Sequence, residues 1–106
     1  MTWHDNDLMM YLVDESGKPI TNFPAKCPVC GKEHAHILMH RFSDRTGFGT
    51  FWAWCDNCFS YTHCSYRVPK WWINPAFLDL DRLDSLVDYP HELQDKIDSW
   101  VNKLLE

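Results

Sequence analysis

The chain has 106 residues, a net charge of −5, 15% aromatic residues and five cysteines. That length accommodates one domain and no second independent core. Five cysteines cannot all pair with one another, and no apolar run approaches the ~18 residues of a membrane span, so a disulfide framework and a membrane protein are both excluded as expectations.

The charge is unevenly spread: residues 1–25 carry a net −3, residues 26–70 a net +3 and residues 71–106 a net −5. A nucleic-acid binder ordinarily offers a basic stripe, and here the basic stretch is flanked by acids on both sides. The opening Met1-Thr2-Trp3-His4-Asp5-Asn6 has neither the basic start nor the apolar run of a secretion signal. A cytoplasmic, reducing setting is the expectation, in which cysteines serve metals rather than disulfides.

In chain order, the six apolar residues Leu8–Val13 precede Asp14-Glu15-Ser16-Gly17-Lys18-Pro19. They predict a short N-terminal strand running into a turn. Next comes Cys27-Pro28-Val29-Cys30-Gly31, answered by Cys55-Asp56-Asn57-Cys58. Two Cys-x-x-Cys turns at this separation read as one four-thiolate metal site of Cys27, Cys30, Cys55 and Cys58. Pro28 fixes φ between the first two ligands, and Gly31 supplies the positive φ that turns backbone N–H groups toward sulfur.

At this Cys-Pro-x-Cys-Gly knuckle the chain resembles the zinc-ribbon and rubredoxin-like proteins, over roughly residues 26–66. The resemblance implies those four cysteines as ligands and one structural Zn2+ ion in preference to iron. Three antiparallel strands with the metal at one end make up the layout of that family. The second turn departs from the pattern: Phe59 stands where a regular knuckle has glycine, while Asn57 tolerates a left-handed conformation.

Between the knuckles, His34–Phe42 and Thr50–Trp54 flank Ser43–Gly49 and predict a hairpin whose loop is marked by Gly47 and Gly49. Phe59–Val68 predicts a third strand. His34, His36 and His40 share strand parity and read as polar filler on a half-solvated sheet face. His34 and His40 are about 20 Å apart along an extended strand, too far to share an ion. His36 or His63 could support the metal ligands from outside. Cys64 reads as an inert buried thiol, since His63 beside it points to the opposite face and cannot activate it.

After Pro69, Trp71-Trp72-Ile73 forms an apolar bend. Asn74 followed by Pro75 predicts a helix start, with Phe77, Leu80, Leu83 and Val87 as its stripe. Pro90 interrupts this, with Asp88 or Tyr89 able to cap a new start. The last segment is the clearest helix: Leu93, Ile97, Trp100, Val101, Leu104 and Leu105 fall on one face, and Glu92 is spaced to pair with Lys96. The expected fold is therefore α+β: a small antiparallel zinc-ribbon sheet of three to four strands, followed by one or two C-terminal helices. Residues 1–25 form the N-terminal strand and turn, 26–68 the ribbon, and 74–106 a helical part packed on it.

Catalysis is not expected. There is no phosphate-cradling glycine loop and no nucleophile–base pair, and a four-cysteine site is coordinatively closed. The leading expectation is a protein-binding module with a basic partner, meeting it through Trp52, Trp54, Trp71, Trp72, Asp79, Asp81, Asp84 and Asp88. In physical character such a chain resembles cognate inhibitors, for example immunity proteins that neutralise a basic, nuclease-type toxin. The alternative is a nucleic-acid-associated regulator using Arg41, Arg45, Arg67 and Lys70 with neighbouring aromatics. Placement separates the two. One patch holding all four cations beside aromatic rings favours nucleic acid, whereas acids of residues 79–98 beside exposed tryptophans favour a basic protein.

Overall fold

The computed structural model describes residues 2–106. Its elements in order are β1 (His4–Asp5), a 3-10 helix (Asp7–Leu12), β2 (Ala35–Arg41), β3 (Phe48–Cys55), β4 (Ser60–Arg67), a short 3-10 turn (Leu80–Arg82), α1 (Asp88–Glu92) and α2 (Gln94–Leu104). The four strands form one sheet in the order β1-β4-β3-β2. β2, β3 and β4 make the antiparallel meander expected of the ribbon. The fold is α+β, but the sheet is mixed, because β1 runs parallel to β4 with His4 opposite Ser60 and Asp5 opposite Tyr61.

Leu8–Val13, expected as a strand, is instead covered largely by the 3-10 helix. The Asn6 side chain accepts from the Leu8 N–H at 3.0 Å and starts the turn. Met9 and Leu12, three residues apart, are both buried. A period of three fits a 3-10 helix, in which i and i+3 eclipse, and does not fit a strand.

Both faces of the sheet are covered. His36, Leu38, His40, Thr50, Trp52 and Trp54 share one face, by the pairing of β2 with β3. That face lies under the C-terminal part: the Trp52 indole donates to the Asp84 carbonyl and the Trp54 indole to the Gln94 side chain. The opposite face carries Ile37, Met39, Phe51 and Cys64, with Met10 of the 3-10 helix reaching Cys64. β3 is consequently apolar on both sides, as a central strand buried twice must be. The histidine face is therefore not half-solvated: His36 and His40 are buried at 3% and 8% exposure, and only His34 stays at the surface.

The helix expected from Asn74 onward does not form. Asn74 spends its amide elsewhere, accepting from the Arg41 N–H at 2.9 Å, donating to the Arg41 carbonyl at 2.8 Å and accepting from the Trp72 indole at 3.0 Å. Residues 75–87 run over the sheet as irregular chain broken only by the turn at Leu80–Arg82, which Asp79 caps. Pro90 sits within the first turn of α1, where its missing N–H leaves no bond unmade. α1 starts after Val87 without a side-chain cap, so neither Asp88 nor Tyr89 serves as one. α2 packs on the chain's own sheet, burying Ile97, Asp98 and Val101. Glu92 pairs with Arg82 rather than Lys96.

Gly49 lies in β3, not in the loop. A Cβ there would overlap the His40 carbonyl oxygen and press on Val68 Cγ2 at 2.6 Å. Because the first obstacle is backbone, Gly49→Ala should destabilise the chain by at least about 1–3 kcal/mol, the usual cost of overpacking. Urea unfolding of the metal-loaded protein measures this, and a neutral substitution would refute the close approach.

Candidate functional site

The two knuckles meet at one end of the sheet. Cys27, Cys30, Cys55 and Cys58 place their sulfurs within 4.8 Å of one another. Cys27 Sγ lies 3.8 Å from Cys58 Sγ, and Cys30 Sγ 3.7 Å from Cys55 Sγ. Four sulfurs at about 2.3 Å from a central ion stand about 3.8 Å apart in a tetrahedron, so the donor set fits a four-thiolate metal site. Gly31 adopts the expected positive φ of 79° and its N–H bonds the Cys27 carbonyl. Phe59, in the glycine position of the second knuckle, takes a φ of 60°. A left-handed conformation costs a non-glycine residue about 1–2 kcal/mol, and the Phe59 ring is held by an edge-on contact with Trp3 at 5.6 Å.

Polar hydrogens surround the sulfurs. The Val29 N–H reaches Cys27 Sγ at 3.3 Å, the Asn57 N–H reaches Cys55 Sγ at 3.4 Å, and the Asn57 amide donates to Cys30 Sγ at 3.4 Å. Such contacts disperse thiolate charge in a loaded site. Burial opposes ionisation of Cys30, yet the Lys32 N–H, the Asn57 amide and the adjoining thiols outweigh it and bring this thiol down to about 6. Burial pushes Cys27 and Cys55 upward. A cation is therefore needed to hold all four as thiolates, and binding it releases protons.

Beside the knuckles lies a polar network that the sequence reading missed. His36 Nδ1 is 2.9 Å from both oxygens of Asp98 on α2, and His36 Nε2 is 3.3 Å from Asp56, the residue following the ligand Cys55. Both ring nitrogens thus face carboxylates. Asp56 also takes the Gln94 amide and lies 2.8 Å from His34 Nδ1. Burial opposes the charge on Asp56, but Gln94, His36 and His34 outweigh it and hold its carboxyl below the ordinary range. For Asp98 burial wins over His36 and raises it. The network ties α2, β2 and the second knuckle together. Its one sequence signal was Asp98 sitting between Ile97 and Val101 on the apolar side of α2.

The other end of the sheet is built differently. Six residues of strand rise, about 20 Å, separate it from the knuckles. There Arg41, Arg45, Arg67 and Lys70 line one cleft of about 640 Å³, with Tyr66 beside them and Glu15 and Asp44 on its walls. Arg41 approaches Asp44 at 4.0 Å, while Arg45, Arg67 and Lys70 make no ion pair among the described residues. A net positive cleft has thus been gathered on a chain of net charge −5.

The expected tryptophan surface does not form. Trp52, Trp54 and Trp72 are core residues, at 2%, 0% and 0% exposure, because their rings fill the space between the sheet and the C-terminal part. Trp71 is half-buried and its indole donates to the Gly17 carbonyl. Asp79, Asp81, Asp84 and Asp88 are exposed as expected, but none of the four expected tryptophans stands exposed beside them, and the half-buried Trp3 donates its indole N–H to Asp88 at 3.0 Å. Cys64 is half-buried, and burial raises its thiol. No family model, curated protein or solved structure matches the chain. Among the described residues, no helix is long and apolar enough to cross a membrane.

Proposed function

We propose that the chain is a zinc-stapled binding module that takes single-stranded nucleic acid at the end of the sheet opposite the metal. The observation that carries this reading is the cleft holding Arg41, Arg45, Arg67 and Lys70 together. Phosphates are bound through such clusters, and exposed aromatic rings beside them stack on unpaired bases. Phe42 and Phe48, at 63% and 55% exposure, stand next to the cleft with ring centroids 6.1 Å apart. A duplex offers no splayed base to such rings. Zinc is preferred over iron because nothing around the four cysteines suggests electron transfer, and a closed four-cysteine site suits a structural role.

Fluorescence anisotropy with a labelled oligonucleotide of about a dozen nucleotides, enough for one small binding site, tests the reading. Three unpaired cations predict a slope of log affinity against log salt of about −2, at about 0.7 per phosphate for single strands. The combined variant Arg45→Ala, Arg67→Ala, Lys70→Ala should flatten that slope and abolish most of the binding. Absence of binding at low salt, or an unchanged variant, would sink the proposal.

A second reading has one observation in its favour: the exposed row Asp79, Asp81, Asp84 and Asp88 would suit a basic protein, as a cognate inhibitor or immunity protein would require. The buried tryptophans remove the other half of that surface. Stable recovery of a single basic protein from the native cell through this acidic row would favour it over nucleic acid.

A further inference from the structure

We infer that the groove adjoining the basic cleft, walled by Phe42, Phe48 and Leu83 and floored by His40, Thr50 and His63, receives one unstacked base of the bound strand. The inference rests on the nucleic-acid reading above and assigns its specificity-determining part.

The groove has a volume of about 430 Å³, within the range of sites that enclose small ligands. It is continuous with the basic cleft: a shallower depression lined by Phe48, Ser65, Tyr66 and Arg67 shares Tyr66 and Arg67 with the cleft, and Phe48 and Ser65 with the groove. A chain whose phosphates follow the cations therefore passes Phe48 on its way to the groove mouth.

The floor has the chemistry of a base-edge reader. His40 is buried at 8% exposure, and its Nδ1 is sealed and bonds nothing among the described residues. Phe42 packs edge-on to the ring at 4.8 Å, so turning the ring over breaks no bond to that nitrogen. Burial lowers His40, which keeps it neutral, with one donor and one acceptor to offer. Thr50 Oγ1 lies 3.0 Å from the Cys64 carbonyl and 2.7 Å from His63 Nε2. The hydroxyl has one proton and the carbonyl can only accept, so Thr50 donates to Cys64 and His63 donates to Thr50. That fixes the proton of neutral His63 on Nε2 and leaves Nδ1 as an acceptor. Burial also lowers His63, against an opposing pull from Asp84.

No fixed cation faces this groove, and Asp84 stands at its rim. A phosphate would be repelled there, whereas a neutral heteroaromatic ring finds two phenylalanine faces and neutral histidines. A general apolar ligand would leave His40 unpaired; a nucleobase brings both donors and acceptors to it. Charge complementarity next door and polarity within thus select the same occupant.

The test compares a labelled strand with a strand of equal length carrying only abasic sugars, in deoxy and ribo forms, at fixed salt. The base-bearing strand should bind about tenfold more tightly, within the range for one stacked base, with the same salt slope. Phe48→Ala, at an exposed position, should remove most of that difference. His40→Gln should alter the ranking of homopolymers of the four bases. Equal affinity of both strands, or a Phe48→Ala protein that still distinguishes them, would overturn the base pocket and leave the nucleic-acid reading standing. Failure of every strand to bind would overturn both.

Discussion

Removal of the metal with a strong chelator should unfold the chain, seen as loss of the near-ultraviolet dichroism of its buried tryptophans. The four cysteines come from two turns separated in sequence, which β2, β3 and a few hydrogen bonds such as that from the Asn57 amide to Cys30 Sγ join in the absence of an ion. Structural zinc supplies on the order of 10–16 kcal/mol of apparent binding free energy, which in such domains is folding free energy. A domain's whole stability is about 5–15 kcal/mol, so nothing in a chain of this size can replace that contribution. Cys30→Ser should have the same outcome even with excess zinc. Cys64→Ser should leave the melting temperature within a few degrees, because the half-buried Cys64 thiol bonds only the Met10 sulfur, at 3.9 Å, and lies outside the cluster. Elemental analysis should return one zinc per chain. Retention of a cooperative melt after chelation would refute the structural role.

Asp98→Ala should destabilise the chain although Asp98 lies outside the cysteine cluster. It strips His36 of the partner on Nδ1 inside a region where His36 is 3% and Asp98 7% exposed. Leaving one buried polar group without its hydrogen-bond partner costs about 1–3 kcal/mol, and His36 keeps only Asp56 on its other nitrogen. Replacing both residues with leucine should recover much of the loss, since an apolar pair leaves no orphan. Urea unfolding of the metal-loaded proteins in a double-mutant cycle provides the measurement. A loss below 1 kcal/mol, or strict additivity, would show that the pair carries no coupling.

What the sequence revealed followed from local rules. The cysteine spacing, Gly31, the aromatic and β-branched runs of β2 and β3, and the stripe of α2 each depend on neighbours a few residues away. The four cations of the cleft were nameable because the end of β2, the hairpin loop and the end of β4 converge by topology alone. What escaped depended on partners distant in sequence. His36 looked half-solvated because nothing local says that α2 will lie over it with Asp98 facing down. Asn74 looked like a helix cap because its true partner, the backbone of Arg41, is 33 residues away. Trp52 and Trp54 share strand parity, which signals one face, but whether that face is covered is decided by residues 80–98. Leu8–Val13 fell to a different error: a run of six apolar residues is too short to distinguish a period of two from a period of three.

The Asn74 amide has a bearing on self-association. By accepting from and donating to the last residue of β2, it imitates a neighbouring strand, as Ala25 does at the first residue by exchanging two backbone bonds with Ala35. On the far side, His4 and Asp5 cover the start of β4. An open strand edge is a template for another copy to add to the sheet. Here β2 is closed at both ends and β4 at its start, so pairing another copy along the full length of either edge would first require lifting a piece of the chain away.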